Sequence, residues 1–161
     1  MTLLASLAAL PLLAAPASAT ATATGFWSGV GNDSPGLTLT PAPQTWIMRG
    51  SLLGANVIGT TLAPLLSCDV NLTSYVETLA SGAGVGSLQC SDSVSPLVVV
   101  SCPVQSDRIG SLMFLSGQCT AAERGNPVGA GPVVAVLSIF FPSPTSTASY
   151  SVGGTIDFAG V

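Results

Sequence analysis

The chain has 161 residues, 48% hydrophobic and only 6% charged, with seven acids, three arginines, no lysine, no histidine and a formal net charge of −4. Three arginines cannot supply the cationic footprint that nucleic-acid binding requires. The lack of histidine removes Ser-His-Asp chemistry, histidine general bases and histidine metal ligands.

The N-terminal stretch, Met1-Thr-Leu-Leu-Ala-Ser-Leu-Ala-Ala-Leu followed by Pro11-Leu-Leu-Ala-Ala15, is an apolar run too short to span a bilayer. It ends in Ala17-Ser18-Ala19, a small-x-small site suited to a signal peptidase, although no lysine or arginine precedes it. The reading is a signal peptide over 1–19 and one secreted domain over 20–161. No later segment reaches the ~18 apolar residues of a membrane helix. The best, Val133–Phe141, has the length of a strand and stops at Pro142.

Glycines and prolines punctuate the rest of the chain at intervals suited to short strands and turns, and no stretch sustains a helical period. In order, strands are predicted around Phe26–Val30, Gln44–Leu53, Val57–Leu62, Cys68–Val76, Val85–Cys90, Leu97–Val100, Ile109–Cys119, Val133–Phe141 and Tyr150–Phe158, about eight or nine in all. In the fourth, Cys68, Val70, Leu72 and Val76 share one face, and Asp69, Asn71, Thr73 and Tyr75 the other. The runs Leu97–Val100 and Val133–Phe141 read as buried on both sides. The last strand alternates most cleanly: Tyr150, Val152, Ile156 and Phe158 against Ser151, Thr155 and Asp157.

Four cysteines, Cys68, Cys90, Cys102 and Cys119, lie 22, 12 and 17 residues apart without a Cys-x-x-Cys. After an export signal an even count reads as two disulfides, and all four fall in phase with inward apolar neighbours. Hairpin geometry favours Cys68–Cys90 and Cys102–Cys119; a Cys90–Cys102 pair flanking Ser95-Pro96 competes. About eight antiparallel strands with one apolar face must close on themselves or fold over. Hairpin-like spacing without a long crossover favours an all-β up-and-down antiparallel barrel, with a two-layer β-sandwich as the alternative.

Ser34-Pro-Gly-Leu37, Glu77-Thr-Leu-Ala-Ser-Gly-Ala-Gly84, Arg108-Ile-Gly before a strand ending Ser116-Gly117, and Phe141-Pro-Ser-Pro-Thr145 followed by Thr147-Ala-Ser-Tyr150 occur in that order. Together they resemble a group of small secreted actinobacterial proteins. The resemblance implies an exported, β-rich protein and carries no activity with it.

Chemistry-bearing constellations are sparse. Asp33, Asp69, Glu77, Asp92, Asp107, Glu123 and Asp157 read chiefly as solvated charges. Asp69 and Glu77, on one face of one strand, would lie ~26 Å apart if it were straight, too far for a glycosidase pair. Glu77 stands out beside a glycine-rich segment. Paired with Arg49 or Arg108, inside the barrel or at its rim, it would form a polar plug or a ligand anchor. Gly82-Ala-Gly-Val-Gly86 lacks the lysine and helix of a phosphate loop. Asn71-Leu72-Thr73 is a formal glycosylation sequon. Trp27, Trp46, Tyr75 and Tyr150 read as core or barrel-end fillers, with sugar stacking as the functional alternative. No catalytic residue, cofactor or metal site is expected.

The favoured function is that of a non-enzymatic exported barrel with either an extracellular structural or interaction role, toward a cell-surface partner, or a small apolar ligand to bind. In such a barrel Met113, Tyr150 and Phe158 would fill the interior, and Gly84, Gly86 and Gly154 would hollow it. A secreted enzyme inhibitor presenting a Thr120–Pro132 loop, and a hydrolase, are the alternatives. A membrane-inserted barrel is disfavoured by the polar face of the last strand. The Ser, Thr, Gly and Asn of the exposed positions suit water and cell-wall polymers alike.

Overall fold

A computed structural model of the chain describes residues 22–34, 36, 39–53, 65–92, 98–141 and 149–159. The predicted leader over 1–19 and the predicted strand Val57–Leu62 lie outside them. Eight strands follow one another: β1 (Thr22–Ser34), β2 (Ala42–Leu53), β3 (Leu65–Glu77), β4 (Ser81–Asp92), β5 (Val98–Ile109), β6 (Leu112–Glu123), β7 (Asn126–Phe140) and β8 (Ser149–Ala159). Each pairs antiparallel with its neighbour, and β8 pairs back onto β1 from Thr22↔Ala159 to Asn32↔Ser149. The result is a closed up-and-down barrel, not a two-layer sandwich. Closure satisfies the edge hydrogen bonds that an open sheet would expose.

Period-two alternation decides what lies inside. Inward side chains from all eight strands, among them Trp27, Met48, Leu72, Leu88, Val104, Met113, Leu137 and Phe158, form one apolar cluster. Both disulfides form as hairpin staples, Cys68–Cys90 between β3 and β4 and Cys102–Cys119 between β5 and β6, and all four cysteines are buried. Gly84, Gly86 and Gly154 do not hollow the interior. A Cβ at any of them would fall 2.0–2.2 Å from a carbonyl oxygen of the adjacent strand. They are places where neighbouring backbones crowd together.

Several expectations need correction. The runs read as doubly buried are not: Val99, Val134, Val136 and Phe140 face outward and are exposed, because every strand of a closed sheet has one outer face. Ile109 ends β5, and the turn to β6 passes through Gly110 at φ 60°. β4 starts at Ser81, ahead of the predicted Val85–Cys90, and the turn before it is Thr78–Ala80. No Thr120–Pro132 loop protrudes: β6 runs to Glu123, and Arg124-Gly125, both at positive φ, turn directly into β7. Two consecutive left-handed residues are the signature of a tight hairpin turn.

Candidate functional site

The buried polar and charged side chains Asp33, Gln44, Glu77, Ser106 and Arg108 gather at one end of the barrel, where β1, β3 and β5 finish and β2 starts. Two routes bring them inside. Asp33 continues the inward phase of Trp27, and Arg108 and Ser106 that of Cys102 and Val104. Glu77 and Tyr75 arrive differently. The pairing of β3 with β4 shifts between Leu72 and Ser74, a bulge of one extra residue on β3. Thr73 and Ser74 both face outward, and the phase beyond them flips. Tyr75 and Glu77, both assigned to the outer face by simple alternation, therefore point inward.

Of the two pairings expected for Glu77, the structure brings Glu77 and Arg108 together as a buried ion pair. Arg108 Nε donates to Glu77 Oε1 at 2.5 Å, with both side chains at most 1% exposed. Trp46 Nε1 donates to Glu77 Oε2 at 2.7 Å. The remaining guanidinium nitrogens donate to Thr78 O at 2.5 Å and to Gly110 O. Arg108 thus ties the β3–β4 turn to the β5–β6 turn, which are also joined by Gly110 N–H donating to Ala80 O at 2.8 Å. Arg108 also lies 6.0 Å from the Phe141 ring centre. Gln44 clamps Gly36, accepting from its N–H at 2.9 Å and donating to its carbonyl at 2.7 Å. Arg49 takes no part: it is exposed on β2, opposite Asp69 of β3.

Aromatic rings fill the space around the pair. Trp46 packs on Tyr150 at 4.8 Å between ring centres, on Tyr75 at 5.7 Å and on Phe141 at 6.0 Å. Trp27, Trp46, Tyr75 and Tyr150 are at most 1% exposed, so they are fillers and offer no stacking surface to a sugar.

Burial sets the electrostatics. Desolvation pushes the Glu77 carboxyl up to about 7, against the opposing pull of Arg108 and of the Trp46 and Arg108 hydrogen bonds. Desolvation raises Asp33 as well, with Arg108 pulling it down. The Tyr75 and Tyr150 hydroxyls are raised by burial and by the neighbouring carboxylates. Tyr75 faces Ser106 and Arg108. Neither its hydroxyl, nor those of Ser106 and Tyr150, nor Asp33 Oδ2 makes a hydrogen bond of ordinary geometry among the described residues. Alternation alone does not mark Asp33, Trp46, Tyr75, Ser106 and Tyr150 as neighbours of the Glu77–Arg108 cluster. Carrying the strand phases forward from Trp27 and Cys102 finds Asp33 and Ser106; nothing in the alternation announces the bulge.

A second feature lies on the outer wall. Leu72, Gly86, Val104, Gly117 and Val133 stand in register across β3 to β7. A Cβ at Gly86 or Gly117 would meet a neighbouring carbonyl oxygen at 2.1 Å, so the strands crowd together along this row and the sheet creases. Outside the crease is an open trough of about 910 Å³. One rim carries Asn71, Ser87, Pro103, Gln118 and Pro132, and the other Thr73, Val85, Gln105, Ser116 and Val134. None of these side chains is charged.

Among the described residues no group of three or more His, Cys, Asp and Glu side chains is placed to hold a metal ion, and no helix is long and apolar enough to cross a membrane. Comparison with protein-family models, with curated proteins and with solved structures finds no match to the chain.

Proposed function

We propose that the chain is an exported, non-enzymatic binding module of the cell exterior that works through its outer wall and not through an internal ligand. The observation that carries this reading is the filled interior. Inward apolar side chains of all eight strands form one cluster, the aromatic and ionic plug occupies one end, and the open trough lies outside. Two buried disulfides suit an oxidising compartment.

The outer-wall reading is preferred to its alternatives. An inhibitor needs a protruding loop, and the candidate segment is two strands joined by a tight turn. A glycoside hydrolase of the usual kind needs two accessible carboxylates facing one cleft. Asp33 and Glu77 do share one end, but they are 3% and 1% exposed, and Glu77 is held by Arg108 and Trp46. A membrane barrel places its apolar side chains outward and polar ones inward. Here the core is apolar, and the outer face mixes Ser, Thr, Asn and Gln with exposed apolar side chains such as Phe26, Val30, Val134 and Phe140 in place of a continuous apolar band.

The test is fractionation with intact-mass measurement. Protein expressed from the full sequence is expected outside the cell, beginning at Thr20, four hydrogens lighter than the reduced chain, and co-sedimenting with insoluble cell-envelope material. Recovery inside the cell with four free thiols, or from the exterior with no retention on envelope material, would contradict the reading.

A further inference from the structure

We infer that the trough across β3 to β7 is a binding site for an extended, uncharged carbohydrate chain. The inference rests on the reading that this barrel works through its outer wall, and it names the ligand class for that wall.

Size comes first. Five adjacent strands spaced ~4.8 Å apart give the trough a length of ~19 Å, and rims two residues apart along each strand stand ~7 Å from one another. That is a slot for a polymer one chain wide. Charge comes second. The chain is net −4, and none of its three arginines is in the trough: Arg49 lies on β2, Arg108 is buried in the plug, and Arg124 is in the β6–β7 turn. Polyphosphates, nucleic acids and acidic polysaccharides find no counter-charge there.

Hydrogen-bonding chemistry separates the neutral candidates. Asn71, Thr73, Ser87, Gln105, Ser116 and Gln118 are all amides or hydroxyls. Each can donate and accept, as each hydroxyl of a sugar can. Valines and prolines between them provide the apolar contact that the C–H faces of a sugar ring need. A peptide would bring a continuous row of backbone N–H and C=O groups. Peptide-binding sheets satisfy these by lending an edge strand, but in this closed barrel β3 to β7 all have partners on both sides.

The test is an NMR titration of oxidised, ¹⁵N-labelled protein with cellohexaose and with the hexamer of N-acetylglucosamine. A neutral Gly/Ser/Thr hexapeptide and polyglutamate serve as the other arms. At least one hexaose is expected to shift, saturably, the amide signals of the trough residues. Replacing both Gln105→Ala and Gln118→Ala is expected to weaken that binding about tenfold, the loss of two hydrogen bonds of about 0.7 kcal/mol each. Both side chains are exposed, so the double variant should keep the parent's melting temperature.

No saturable shift with either hexaose, shifts confined to another face, or equal response to the peptide or polyglutamate would overturn the proposal. Retention on envelope material without a hexaose response would sink the carbohydrate assignment alone. Uptake of an apolar probe into the interior would sink the wall reading beneath it.

Discussion

Glu77 bears most directly on the stability of this barrel. Its carboxylate is met by Arg108 and Trp46 with almost no solvent contact. Removing one partner of a buried pair leaves the other charge unpaired. Glu77→Ala should therefore destabilise the fold by about 3–5 kcal/mol, against well under 1 kcal/mol for Asp157→Ala on the outer face, measured by denaturant unfolding. The pH dependence follows from the raised carboxyl. Desolvation raises the Glu77 carboxyl in the folded state, to about 7, so between the ordinary glutamate value and 7 the folded state binds more protons than the unfolded chain. The stabilisation is fully present below that lower value and is lost as pH rises toward and through 7. Melting temperatures should fall across that window and fall less in Glu77→Gln; a flat or rising profile in the native protein would contradict the burial argument. A third test concerns space. A Cβ on Gly31 would lie 2.5 Å from the Tyr150 ring, so Gly31→Ala should cost about 1–3 kcal/mol. The same change at Gly153, whose nearest neighbours are at 3.7 Å, should cost less.

Among the elements, strands were easier to read than the placement of individual side chains. Turn chemistry and alternation locate the eight strands to within a few residues, apart from the β5–β6 boundary and the length of β7. Hairpin logic alone leaves Cys90–Cys102 in competition; register decides, because Cys68 stands opposite Cys90 whereas Cys90 stands opposite Val100 and Cys102 opposite Leu88. Two things stayed hidden. The bulge at Thr73–Ser74 is a property of pairing between strands, so one sequence read alone sends Tyr75 and Glu77 to the wrong face. The creased trough depends on Gly86 and Gly117 falling in register on strands two apart, which alternation within a strand cannot reveal. The bulge gives a sharp test. Deleting Thr73 removes the extra residue and leaves Leu72, Tyr75 and Glu77 in one strict inward phase, so Trp46 should keep its carboxylate partner and its emission should stay blue-shifted; a red shift would contradict this reading of the bulge. The staples give another. In the chain-entropy account, reducing either disulfide removes about 3 kcal/mol, visible as a lower denaturant midpoint in reductant.

For the whole molecule, an apolar interior stapled by two disulfides, with an ionic and aromatic plug at one end, is what the proposal of an outer working surface rests on. Low charge fits this arrangement. The core needs none beyond the plug, and the outer face mixes hydroxyl and amide side chains with exposed valines, leucines and phenylalanines. Tryptophan fluorescence reads the interior directly, since both Trp27 and Trp46 are fully buried. The decisive measurement is a titration of the oxidised protein with a fluorescent fatty acid, following probe and tryptophan emission together. A filled barrel predicts no saturable binding and an unchanged, blue-shifted tryptophan signal at every ratio. Uptake of one probe per chain with quenching of Trp27 or Trp46 would show an interior that opens to ligand, and would contradict the account.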